Sequence, residues 1–236
     1  MKIKTAWRVL AFSAVFGLGL IGCGGNDNPS GGDNYNGGNN NNNSNNNNGG
    51  SNNNGGGGSS ETVMLGGLKW MTKNLDVETE DSWCYGEGGQ VLVGEDWVTL
   101  TSSQIQANCT KYGRLYTWEA AKIACQLVGK RLPTNQEWEA LVTAAGGSST
   151  AGRKLKSTSG WNNNGNGTND FGFSALPGGF RDSSSGNFGS AGNNGYWWTA
   201  TENGSNAYYR NMYYNDDDVD ENGYYKSHGF SARCVE

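Results

Sequence analysis

The sequence predicts an α+β domain built from two helices, a small antiparallel sheet and a long irregular loop region. Three observations predict it. Two capped stretches with apolar residues at helical spacing lie between residues 117 and 147. Short runs rich in Trp, Tyr and Phe flank them, at residues 62–71 and 196–235. Between them, residues 147–195 are rich in Gly, Asn and Ser yet carry Trp161, Phe171, Phe173, Leu176, Phe180 and Phe188. A connection this long is uncommon in a compact domain unless it is functional, and its aromatic residues point to a segment pinned on a core.

Not all of the 236 residues are available to fold. Lys2, Lys4 and Arg8 precede an uncharged, apolar or small run from Val9 to Gly22. Residues 1–22 therefore read as a signal peptide, with an apolar run too short to span a bilayer comfortably. The run ends Leu20-Ile21-Gly22-Cys23, which resembles the bacterial lipobox. The resemblance implies that Cys23 is lipidated and becomes the mature N-terminus; two acyl chains suffice to hold a chain on a membrane. Gly24 follows the cysteine, and by resemblance to the sorting rule of some Gram-negative bacteria this implies the outer membrane. Residues 24–60 hold 16 Asn, 12 Gly and 5 Ser. Such a composition buries nothing that would offset the ordering entropy, so residues 23–60 are expected to be a lipidated cysteine and a disordered tether. A flexible coil of that length has ends roughly 30–36 Å apart and extends to about 120–130 Å at most.

Residues 61–236 suit one domain with a single core. Three of the 17 Lys and Arg and two of the 22 Asp and Glu lie before residue 61, which leaves the domain 14 cations and 20 acids, a net charge of −6. Nucleic-acid binding needs clustered cations, so no nucleic-acid partner is expected. Eight of the nine Trp, ten Tyr and five Phe fall in the domain and supply its apolar mass. His228 is the one histidine, which excludes most triads and metal sites that depend on several.

Within the domain, Val63–Leu65 and Leu68–Met71 around Gly66-Gly67 read as a hairpin. Residues 76–110 look irregular, with a strand pair at Val91–Val93 and Trp97–Leu100. Thr117 caps a helix from Trp118 to about Val128, with Trp118, Ala121, Cys125 and Val128 on one face and Gly129 as its stop. Thr134-Asn135-Gln136-Glu137 is a capping box opening a second helix, with Trp138, Leu141, Val142 and Ala145 inward and Gly146-Gly147 at its end. Three strands are expected at Tyr196–Thr201, Ala207–Tyr214 and Tyr224–Val235. In the last, Phe230, Ala232 and Cys234 alternate onto one face.

With Cys23 assigned to lipid, Cys84, Cys109, Cys125 and Cys234 remain. Four cysteines in an exported chain imply two disulfides, with three possible connectivities. The local arrangement favours Cys84–Cys109, closing an irregular loop, and Cys125–Cys234, tying a helix to the last strand.

Five ordered blocks resemble one family. They are Gly113-Arg114-Leu115-Tyr116-Thr117-Trp118-Glu119-Ala120-Ala121; Arg131-Leu132-Pro133-Thr134 with Glu137-Trp138; Phe171-Gly172-Phe173-Ser174-Ala175-Leu176-Pro177-Gly178-Gly179-Phe180-Arg181; Tyr196-Trp197-Trp198-Thr199-Ala200-Thr201-Glu202; and Gly229-Phe230-Ser231-Ala232-Arg233-Cys234-Val235. Together they resemble the Fibrobacter succinogenes major paralogous domain of bacterial surface lipoproteins, over nearly all of 61–236. Members often carry Cys-Pro-x-Gly-Trp before Arg-Leu-Pro; here Cys125-Gln126-Leu127-Val128-Gly129-Lys130 lacks that Pro and Trp. The resemblance implies a C-type-lectin-like fold like that of the formylglycine-generating enzymes, with two helices, a small twisted antiparallel sheet and a long loop region. It implies no established activity.

Several residues are weighed for chemistry. His228 as a base would need a nucleophile or an orienting partner, and the sequence signals neither. Formylglycine generation requires a redox-active cysteine pair, and the expected disulfides leave none free. Asp216, Asp218 and Asp220 begin like a calcium loop, but Glu221 stands where glycine is needed and Ser227 where glutamate is needed. A solvated hairpin tip is the better reading, calcium the minor one, and no other cofactor is expected. Glu202, Asp170 and Asp182 are carboxylates open to a polysaccharide-acting enzyme. The aromatic and amide content of 161–214 suits sugars, which stack on rings and hydrogen-bond to amides; Trp161, Asn169, Asp170, Arg181, Tyr208 and Arg210 are the candidate ligand residues. The expectation is a lipid-anchored, non-catalytic carbohydrate-binding or adhesion module at the outer membrane or cell surface. Its partners would be the membrane and a polysaccharide or another surface protein. An envelope enzyme and a purely structural surface protein are the alternatives.

Overall fold

The computed structural model describes residues 61–236; the signal peptide, Cys23 and the tether lie outside the described residues. In chain order the elements are β1 (Thr62–Leu65), β2 (Leu68–Met71), β3 (Ser82–Cys84), β4 (Val91–Val93), β5 (Asp96–Val98), α1 (Ser102–Tyr112), β6 (Arg114–Tyr116), α2 (Trp118–Leu127), α3 (Asn135–Ala144), α4 (Ser148–Leu155), β7 (Phe180–Arg181), β8 (Phe188–Gly189), β9 (Asn194–Asn203), β10 (Asn206–Tyr213) and β11 (Asp220–Tyr225). The class is α+β, with four helices among the described residues instead of the two expected. The strands form four small sheets: β1–β2, β3–β6, β5–β4–β8–β7 and β11–β10–β9.

The local signals act where the sequence places them. Gly66 and Gly67 turn the β1–β2 hairpin at positive φ. A Cβ on Gly66 would stand 2.7 Å from the backbone nitrogen of Leu141, so the turn also needs glycine to lie against α3. Thr117 caps α2, and Thr134 with Glu137 forms the capping box of α3. Arg131 reinforces that box with two hydrogen bonds to the Glu137 carboxylate, which hold its pKa below the usual range. The two further helices were hidden in stretches read as irregular. Thr101 and Gln104 make a capping box for α1, and α4 opens the long connection after α3.

Strand alternation divides the interior. Trp197 and Trp198 are neighbours on β9 and point to opposite faces. Trp197 enters a cluster with Trp70, Trp138, Trp161 and Phe173. Trp198 enters a second with Tyr116, Trp118, Phe230 and the Cys125–Cys234 disulfide. A third, smaller cluster holds Tyr85, Val91, Leu115 and Phe188. Beside it the Cys84–Cys109 disulfide links β3 to α1, and Arg114 donates to both sulfurs.

The last segment is not the continuous strand expected at Tyr224–Val235. The chain turns after β11, and residues 229–235 then bridge singly to β2, β6, β7, β9 and Arg131. At the centre of this spine Arg233 is wholly buried and has no carboxylate partner among the described residues. Its Nε donates to Asn74 Oδ1 (2.8 Å), and its terminal nitrogens donate to the carbonyls of Met71 (2.9 Å), Phe173 (2.6 Å) and Ser174 (2.6 Å). Burial pushes the guanidinium down to about 9, which leaves it charged at neutral pH. Asn74 Oδ1 also accepts from Trp197 Nε1 (2.9 Å), while its Nδ2 donates to the Tyr112 carbonyl (2.9 Å). This hub fixes Phe173 and Ser174, which is how the long loop is pinned.

Candidate functional site

The β9–β10–β11 sheet presents one face to α3 and the other to an open cleft. Register decides which residues reach it. Tyr209 lies opposite Trp198 and Asn222, Asn211 opposite Tyr196 and Asp220, and Tyr213 opposite Asn194. Alternation therefore gathers Tyr196, Tyr209, Tyr213 and Tyr224 on the cleft side and turns Trp197, Arg210 and Met212 toward α3. Phe180 of β7, Asp182, His228 and Phe230 complete a cavity of about 260 Å³. Phe230 stacks on Tyr196 (5.2 Å, 20°) and packs against Tyr209 (4.8 Å).

The polar atoms here are held in readiness. Tyr196 Oη accepts from Asn194 Nδ2 (2.8 Å). The hydroxyls of Tyr209, Tyr213 and Tyr224 make no hydrogen bond to another described residue. Burial, then the neighbouring phenols and Asp220, pushes Tyr209 up to about 12; Tyr196 and Tyr213 are raised as well, chiefly by burial. All three stay neutral donors at ordinary pH. Beside them Asn222 Nδ2 donates to Asn211 Oδ1 (3.1 Å), and Asn211 Nδ2 donates to Asp220 Oδ2 (3.1 Å). The result is ring faces and free hydroxyls in the cleft, with an amide–carboxylate ladder beside it on the same face of the sheet.

His228 forms one end of the cleft and is only 5% exposed. Its Nδ1 lies 3.0 Å from Ser183 Oγ and its Nε2 lies 3.2 Å from Asp182 Oδ2. A neutral ring fits both contacts, donating from Nε2 to Asp182 and accepting the Ser183 hydroxyl at Nδ1. Burial lowers the His228 pKa, with Asp182 opposing the shift and Arg181 adding to it. Asp182 Oδ1 accepts from Ser184 N (3.0 Å), Ser184 Oγ (2.5 Å), Ser185 N (2.8 Å) and Ser185 Oγ (3.0 Å), which hold the carboxyl far below its usual range. The sequence reading found no partner for His228, and the structure supplies two. Hydroxyl, imidazole and carboxylate in this order are the parts of an acyl-transfer site. However, the backbone N–H groups just after Ser183, which would stabilise an oxyanion, are spent on Asp182. Ser183 also lies outside the cavity lining. The arrangement works as a clasp that holds the 182–186 turn at the cleft rim.

The residues expected to bind ligand do not converge. Trp161 is 4% exposed, donates to the Ala175 carbonyl (3.0 Å) and belongs to the core. Arg210 is 2% exposed and locked to Asn135, Glu139 and Glu221, tying β10 to α3 and β11. Asn169 spends both amide atoms on Ser174, at positive φ. Arg181 stacks over Trp83 at 3.9 Å on the side of β7 away from Phe180. Tyr208 is half-buried off the cleft face, and Asp170 lies exposed beside Arg153 and Lys154. Glu202 pairs with Lys226 at 3.3 Å.

The acids weighed for calcium are engaged within the protein. Among the described residues no three His, Cys, Asp or Glu side chains are grouped to hold a metal ion. Asp216 Oδ1 accepts from the Asp218 backbone (3.2 Å), and Asp220 is engaged by Asn211. The loop already holds a cation of its own: Lys156 Nζ donates to the carbonyls of Asp216 (2.7 Å) and Tyr213 (3.0 Å).

Sequence reasoning missed the cleft because its walls come from β7, β9, β10, β11 and the 228–230 segment. One signal was available: Asp182-Ser183-Ser184-Ser185-Gly186 is a turn sequence in which the aspartate caps the following amides. Among the described residues no helix is long and apolar enough to cross a membrane. Residues 63–236 match the family model described as the Fibrobacter succinogenes major domain. No curated protein and no solved structure matches the chain.

Proposed function

The chain belongs to the Fibrobacter succinogenes major domain family, and from that premise we propose that this member is a lipid-anchored, cell-surface module that binds carbohydrate in the tyrosine cleft without turning it over. The carrying observation is the cleft itself, where several tyrosine rings and phenol hydroxyls without a partner among the described residues line one cavity, with Asn222 opposite Tyr209 on the same face of the sheet. Sugar rings present apolar faces and dense hydroxyls, so a concave site with aromatic walls and a few convergent polar groups suits them. The C-type-lectin-like fold is part of the same proposal. It is supported by the tie between α2 and the last segment through Cys125–Cys234, the small sheets and the long pinned connection.

Anchoring follows from Lys2, Lys4, Arg8 and the Leu20–Cys23 motif, with the outer membrane as destination. Metabolic palmitate labelling should mark the wild type and spare Cys23→Ser; equal labelling would remove the anchor from the proposal. A glycan array probed with the purified full chain tests the binding reading, with Tyr209→Phe/Tyr213→Phe as the control. A blank array would overturn it. Labelling of Ser183 by a fluorophosphonate, or release of soluble sugar, would overturn the absence of turnover.

A further inference from the structure

The formal charge in the cleft lining is negative. Asp182 lines the cleft, and Asp220 sits beside the Tyr209 and Tyr213 phenols. Its lining holds no Lys or Arg. Arg181 is carried to the far side of β7 by strand alternation and stacks on Trp83, with its charge felt at His228 but not presented in the lining. His228 is neutral at ordinary pH, since burial lowers its pKa. The rings are also arranged in a particular way. Tyr196 meets Phe180 at 84°, Tyr213 at 87° and Tyr209 at 60°, so the aromatic faces form walls at angles and not one flat strip. An ammonium group is attracted by several ring faces turned toward it from different sides, and by carboxylates at short range.

We propose that the glycan selected by this cleft carries a positive charge, as an unacetylated amino sugar does; the inference rests on the reading of the cleft as a carbohydrate site. The ammonium lies among the tyrosines with Asp182 and Asp220 as its counter-charges, and the sugar hydroxyls meet the exposed Asn222 amide, which Asn211 holds from below. Uronic acids and sulfated sugars are repelled by the same carboxylates. The domain's net charge of −6 draws cationic ligands from a distance.

Isothermal titration of the purified full chain with glucosamine oligomers, their N-acetylated counterparts and oligogalacturonate tests this. The glucosamine oligomers should bind about tenfold tighter than the acetylated ones, and the uronate should bind weakest. The preference should shrink as salt screens the carboxylates. It should vanish once mild alkali deprotonates the sugar amine, while Tyr209, pushed up to about 12, keeps its proton. Asp220→Asn retains an acceptor for Asn211 on the edge strand β11, so the fold should hold and the preference should fall several-fold. Equal binding of charged and acetylated oligomers, or an undiminished preference in Asp220→Asn, would overturn the inference and leave the carbohydrate reading standing. No binding by any of the three, together with a blank array, would overturn both.

Discussion

The interior around Arg233 and the cleft around Tyr209 are made from similar residues: aromatic rings, asparagine amides and charged groups. They differ in how the polar atoms are spent. Around Arg233, Asn74 serves Trp197, Arg233 and Tyr112 at once, and the guanidinium is ringed by carbonyls. In the cleft, three phenol hydroxyls have no hydrogen-bond partner among the described residues, and Tyr224 is 39% exposed. Composition alone does not separate a core from a binding surface; the hydrogen-bond accounting does.

That contrast breaks most severely at the hub. Arg233→Ala takes their guanidinium donor from three carbonyls, removes one of the two donors to the Asn74 oxygen and opens a cavity, so equilibrium denaturation should show a loss of about 3–5 kcal/mol. A loss below about 1 kcal/mol would show that the hub does not hold the loop. Trp161→Ala should cost a similar amount, about 3–5 kcal/mol, as expected of a core residue and not of an exposed sugar platform. Replacing Cys125 and Cys234 together by Ser should cost about 2–5 kcal/mol, because the bond closes a long loop in the unfolded chain. Denaturant melts of oxidised protein, with and without the pair, measure it.

The cleft end should respond to pH. The folded pKa of His228 is depressed, so the unfolded chain binds the extra proton first as pH falls. The stability from the neutral ring is complete above its unfolded value near 6.5 and is lost progressively as pH drops toward the folded pKa. Asp182, also depressed, loses its share only in stronger acid. Thermal melts across this range should show the first decline in the wild type and not in His228→Gln. A matching decline in both would assign it to another group.

How much was legible depended on how local the cause is. Helices α2 and α3 and the β1–β2 hairpin carry their own caps, periodicity and glycines, and strands β9 and β10 their own alternation. Helix α1 was not seen because Ser102–Tyr112 offers few apolar positions, although Thr101 and Gln104 spell its capping box. Helix α4 was masked by the Ser, Thr and Gly of its sequence; only Ala151 and Leu155, one turn apart, mark its inner face. The acids of 216–221 read as a hairpin tip, yet Asp220 and Glu221 open β11 and are held there by Asn211 and Arg210. The cleft was out of reach for a different reason. Ser183 and His228 are 45 residues apart, and Tyr209 meets Trp198 only through a register with a bulge at 207–209.

The smallest structural change tests the central claim most directly. Tyr209→Phe/Tyr213→Phe removes two unpaired hydroxyls and leaves the rings in place, so stability should move by no more than about 0.5 kcal/mol. Binding isotherms of the full chain against its best array glycan, wild type beside this double variant, should show affinity falling about tenfold or more with an unchanged melting temperature. Unaltered affinity, or a loss of affinity matched by an equal loss of folded protein, would contradict the assignment of the cleft as the binding site.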